Sequence, residues 1–150
     1  MSLGKKPIKV FKSQEQLNEY AKYYQHLLFL DHWFIKFELV DRLMSINNSD
    51  KLACGYCGCE FLTKEGVIRI YNGNLEFDND FPYIAELTLI HELLHLKFMI
   101  LFPAKEEIES DLPMNNLSPI EQNIIHSNIE EISKIILMAK YNLDYDYFRS

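Results

Sequence analysis

The 150-residue sequence predicts an α+β domain, and three observations carry that expectation. Apolar residues recur at helical spacing towards both ends of the chain, and β-rich runs broken by turn residues fill the span from Trp33 to Tyr71. Between Pro82 and Phe102 the chain is apolar on nearly every side of a helical wheel. A helix apolar all round is a central, buried one. The expected order is therefore helix, three strands, central helix, final helix.

The elements follow in order. Residues 1–12 are basic and read as loosely held, peripheral chain. Ser13, with Gln16 three residues on, forms a capping-box pattern, and Leu17, Tyr20, Ala21, Tyr24, Leu27 and Leu28 continue a helix to about Leu30. Trp33 to Val40 is β-rich and partly alternating, the first strand, and Asn47 to Asp50 is a loop. Leu52 to Thr63 holds a second strand, where Gly55 and Gly58 signal a bulge or a bend. Lys64-Glu65-Gly66 reads as a hairpin turn and Val67 to Tyr71 as the third strand. Asp78, Asn79 or Asp80 caps the central helix, with Pro82 near its first turn. Lys105 to Asp111 is a solvated connection. Ser118-Pro119-Ile120-Glu121 then combines an N-cap, a proline at the first helical position and a capping-box glutamate, opening a helix that runs to about Lys140. The pattern does not place Asp144 to Phe148, and residues 142–150 read as peripheral.

Composition narrows the function classes. With 48% hydrophobic and 13% aromatic residues, a chain of this length buries a real core as one domain, 1–150. A formal charge of -7 and the lack of any basic cluster argue against a nucleic-acid surface. No apolar run reaches the ~20 residues of a membrane span; Glu86, His91, Glu92, His95 and Lys97 interrupt the longest. Met1 to Val10 lacks the apolar core of a secretory leader, which sets the expectation of a cytoplasmic protein. Cys54, Cys57 and Cys59 lack the second pair that a four-ligand zinc site needs, and no helix pattern follows them as in a redox motif. They read as reduced thiols in or near a strand, and their odd number fits a reducing compartment.

Chemistry concentrates in His91-Glu92-Leu93-Leu94-His95. Residues four apart on a helix share a face, so His91 and His95 can aim two imidazole nitrogens at one ion, and that donor pair suits zinc. Glu92 stands about 100° round the helix and reaches the space beside the ion. Zinc lowers the pKa of a water there to about 7, and Glu92 is placed to take its proton as general base. Burying two imidazoles and a carboxylate in so apolar a helix is costly unless a metal pairs with them. A catalytic zinc takes three protein ligands, and the final helix offers His126, Glu130 and Glu131. On its wheel Ile125, Ile129, Ile132 and Ile136 mark the centre of the apolar face; His126, Glu130, Ser133 and Leu137 line one flank, and Ile124, Glu131, Ile135 and Met138 the other. Ser133 is small and permits close helix approach, which favours the Glu130 flank and leaves Glu131 open.

The motif, followed 35 residues later by the acidic pair Glu130-Glu131 on a helix, resembles the gluzincin branch of the zincin metallopeptidases over residues 30–140. In size the chain is similar to minimal gluzincins and to small predicted metallopeptidases of phages and mobile elements. The resemblance implies a zincin-like fold: a small mixed sheet of three to four strands packed on an N-terminal helix, the motif helix and a C-terminal helix. It implies Zn2+ held by His91, His95 and Glu130, with Glu131 the alternative; His126 as third ligand would suit other zincin branches. It implies Glu92 as the base that later passes its proton to the leaving amine. It also implies a peptide or protein substrate that binds extended against the open edge of the Val67–Tyr71 strand. Where the family often has alanine then aspartate, this chain has Ser133-Lys134, so the usual supporting carboxylate has no counterpart. Tyr141, Tyr145 and His126 are the candidates for stabilising an oxyanion. The rival expectation, from small size and the absence of a specificity subdomain, is a metal-binding regulatory module with this fold and no proteolytic turnover.

Overall fold

A computed structural model of the chain describes residues 4–41, 54–73, 83–101 and 118–149. Among these residues it is α+β, with three α-helices and one three-stranded mixed sheet. Ser13, in extended backbone, accepts the Gln16 amide with its hydroxyl and starts helix α1 (Gln14–Leu27). Only half of the expected capping box forms, because the Gln16 side chain accepts the Lys12 N–H instead (2.8 Å). Leu17, Tyr20, Ala21 and Tyr24 turn inward at helical spacing, and Phe29 at φ 58° releases the chain towards the sheet.

The sheet comprises β1 (Phe34–Val40), β2 (Gly55–Glu60) and β3 (Glu65–Tyr71). β2 and β3 form an antiparallel hairpin from Gly55↔Ile70 to Glu60↔Glu65, with an unbroken register. The expected bulge is therefore absent. The turn also falls earlier than Lys64-Glu65-Gly66: it occupies Phe61 to Lys64, and Glu65 and Gly66 already belong to β3. Lys64 itself takes the left-handed conformation (φ 55°), so Gly66, two residues on, was a misleading signal. β1 pairs parallel with β3, from Phe34↔Glu65 to Val40↔Tyr71, giving the order β1-β3-β2. The expectation that Val67–Tyr71 offers an open edge is overturned, since β3 is central and hydrogen-bonded on both sides. At the outer border of β1, the Gln14 amide accepts from Leu39 N (2.9 Å) and donates to Phe37 O (2.7 Å).

Helix α2 (Ala85–Leu101) buries Leu89, Ile90, Leu93 and Leu96 completely, in one core with Ile68 and Ile70 of β3. Two of its orphan N-terminal amides are satisfied by the N-terminal segment: Ala85 N donates to Lys9 O and Glu86 N to Ile8 O, both at 3.0 Å. Pro7 and Phe11 are buried as well, so residues 7–11 are anchored rather than loosely held. Helix α3 (Pro119–Tyr141) begins with the full capping box of Ser118 and Glu121 and ends at Asn142 in the left-handed conformation. Its buried residues are Ile129, Ser133 and Leu137, while Ile124 and Ile135 are exposed with Glu131. The inward face is thus rotated from the expected isoleucine stripe towards the His126–Glu130 flank. Ser133 makes this possible, being small and donating its hydroxyl to Ile129 O (2.6 Å). The tail turns back as a 3-10 helix (Tyr145–Arg149) and buries Phe148, so it is part of the core and not peripheral.

Among the described residues no helix is long and apolar enough to cross a membrane. The Asn47–Asp50 loop, the caps at Asp78 to Asp80, Pro82 and the Lys105–Asp111 connection lie outside the described residues.

Candidate metal centre

The apolar wheel of α2 carries His91 and His95 one turn apart, and the helix puts their Nε2 atoms 3.0 Å from each other. Helix α3 brings a third imidazole. His126 has its ring centroid 5.0 Å from that of His91 and 5.5 Å from that of His95. One donor nitrogen from each of the three lies within 4.8 Å of the other two, a group that could hold a metal ion. Glu130, one turn on from His126, faces the same place with Oε2 2.9 Å from His91 Nδ1, and Lys134 Nζ is 3.8 Å from its Oε1. Glu131 is exposed and does not line the cavity, so the alternative third ligand is not brought to the site. Among the oxyanion candidates only His126 arrives: the Tyr141 hydroxyl is engaged elsewhere, and Tyr145 is exposed in the tail.

Burial sets the charge states. The protonation of His95 is pushed down to about 3, first by desolvation and then by the neighbouring His91 and His126. That of His126 is lowered for the same first reason. Neutral imidazoles are what a metal needs as ligands. The Glu130 carboxyl is held below its ordinary range, chiefly by the hydrogen bond from His91, so it is an anion at neutral pH. Glu92 goes the other way. Only 8% exposed, it is pushed up to about 7 by desolvation, with His91 partly opposing, which poises it to exchange a proton near neutrality. The three imidazoles, contributed by two helices, could hold a metal ion beside this carboxylate.

A cavity of about 320 Å³ opens beside these groups, lined by His91, Glu92, His126 and Glu130 on the helices and by Cys54 and Tyr83 opposite. Its floor depends on Gly55, at the start of β2. A Cβ there would lie 2.7 Å from Thr88 Cγ2 and 2.9 Å from both Cγ and Oε1 of Glu92. Sequence reading took this glycine for a bulge or a bend; its role is to let a strand pass against the motif helix. Gly55→Ala is expected to destabilise by about 1–3 kcal/mol through overpacking. A urea midpoint unchanged from wild type would show that β2 is not pressed onto Glu92.

The three cysteines form no disulfide, and none belongs to the metal-capable group among the described residues. Burial pushes the Cys54 thiol up to about 11 and the Cys57 thiol well above its ordinary range, so both stay protonated at neutral pH.

Sequence reading missed Glu86, which is fully buried in the first turn of α2. Its carboxylate accepts from Ile8 N (2.9 Å), from the hydroxyls of Tyr24 and Tyr141, and from Lys140 Nζ (3.2 Å). Lys140 Nζ in turn lies within 5.2 Å of the ring centroids of Tyr20, Tyr23, Tyr24 and Tyr141. The N-terminal segment, α1 and the end of α3 thereby meet at one point on α2. A signal existed, since a lone carboxylate in the same apolar helix as the motif demands partners as much as the histidines do.

With this geometry in hand, comparisons of the chain with protein-family models, with curated proteins and with solved structures returned no match.

Proposed function

We propose that the chain is a zinc-dependent metallopeptidase of the zincin type, as the resemblance of its motif implies. The observation that carries the reading is Glu92, desolvated and poised near neutrality, beside three converging imidazoles in a cavity bordered by strand β2. His91 and His95 would hold the ion together with a group from α3. Bound zinc supplies Lewis acidity, polarising a substrate carbonyl and activating water at neutral pH.

The protein's own groups do the rest. An extended peptide would pair along β2, one of the two outer strands among the described residues, which would bring its backbone to the cavity where β2 begins at Gly55. Glu92 would take the proton of the attacking water and return it to the leaving amine, the role its burial beside the imidazoles supports. The neutral imidazoles of His95 and His126 add no positive charge that would compete with the ion.

The test joins elemental analysis of protein purified without chelator to cleavage of a broad peptide library before and after chelation. One zinc per chain with chelator-sensitive cleavage is expected. Stoichiometric zinc without cleavage would point to a metal-binding module, and protein free of metal would remove the proposal altogether.

A further inference from the structure

Resting on the proposed zinc site, the geometry assigns His126 as its third protein ligand and makes Glu130 a positioning residue that orients His91. This departs from the His91, His95 and Glu130 set that the resemblance implies.

The two nitrogens of an imidazole point away from each other, and here each has a different neighbour. His91 Nδ1 lies 2.9 Å from Glu130 Oε2, and His91 Nε2 lies 3.0 Å from His95 Nε2. Glu130 therefore occupies the Nδ1 side of the His91 ring, and His95 the Nε2 side. An ion bound between the two Nε2 atoms is therefore on the opposite side of the His91 ring from Glu130. A carboxylate that holds Nδ1 does not also reach such an ion.

His126 is differently placed. Its ring lies beside both other imidazoles, and its donor nitrogen closes the group of three. His126 and Glu130 are one turn apart on the same face of α3, so a single approach of that helix delivers both. Lys134, a further turn on, holds the second oxygen of Glu130 at 3.8 Å and draws the carboxylate towards its own helix. A carboxylate on the outer nitrogen of a metal-bound histidine raises that ligand's basicity and locks its ring. Glu130 thus fills the supporting role for which Ser133-Lys134 offers no carboxylate.

The experiment measures zinc affinity by competition with a chromophoric chelator for wild type, His91→Ala, His126→Ala and Glu130→Gln. Nitrogen-detected NMR of the histidine rings runs alongside. The His126 side chain is not buried and Glu130→Gln keeps its shape, so thermal melts of the metal-free proteins should superimpose and separate folding from binding. Wild type should bind one zinc, and His91→Ala should lose it. His126→Ala should weaken binding on the order of a thousandfold, as for loss of a direct ligand. Glu130→Gln should keep the stoichiometry and weaken binding by about 10–100-fold, the usual effect of an outer partner. The protected Nδ1–H resonance of His91 should be unchanged in His126→Ala and move upfield in Glu130→Gln, whose amide oxygen still accepts but carries no charge. Loss of zinc in Glu130→Gln with near-normal affinity in His126→Ala would overturn the assignment, as would equal losses in both. Wild type without zinc would instead refute the site itself.

Discussion

Glu92→Gln is expected to keep zinc at one per chain and to lose peptide cleavage by about a hundred- to ten-thousandfold, the range for removal of a positioned general base. Glutamine fills the same space between Gly55 and Thr88 but cannot take a proton. Metal retention, read by elemental analysis, separates loss of chemistry from loss of the site. Glutamine is close to isosteric with glutamate, so a melt of the metal-free variant near that of wild type would show the fold intact. Cleavage within tenfold of wild type would sink the role given to Glu92.

The second large effect concerns the fold. Glu86→Ala is expected to destabilise by about 3–5 kcal/mol, because it strands the Lys140 charge and two tyrosine hydroxyls away from water. For a chain of this size that lowers the melting temperature by roughly 10 °C. The mechanism has its own control. Glu86→Leu combined with Lys140→Met removes both charges and should recover much of the loss, since taking away one partner is worse than taking away both. A single variant that melts within two degrees of wild type (about 1 kcal/mol or less) would mean that the carboxylate is not the knot described.

What was legible in the sequence was local. Ser118, Pro119 and Glu121 specify a helix start within four residues, and the structure forms each of those contacts. The His91–His95 pairing follows from helical spacing alone. Strand order does not, because the alternation of β3 is the same whether it lies at an edge or between two partners; only the closure of distant β1 onto it decides. The face of α3 was legible in part. Ile129 is buried and Ile125, Ile132 and Ile136 pack against the core as expected, and small Ser133 draws the fully buried strip towards its own flank. Glu130 was singled out on that flank, but which nitrogen of His91 it meets depends on a helix-to-helix distance that no periodicity encodes.

A three-stranded sheet ordinarily has two raw margins where foreign backbone can graft itself. Here the chain plugs one with its own amide: Gln14 occupies both the acceptor of Phe37 and the donor of Leu39, at the middle of β1. Among the described residues, that margin of β1 is therefore closed to a guest strand at Phe37 and Leu39. Under the proposed function, a substrate strand would be left the margin along β2, which leads past Gly55 towards Glu92.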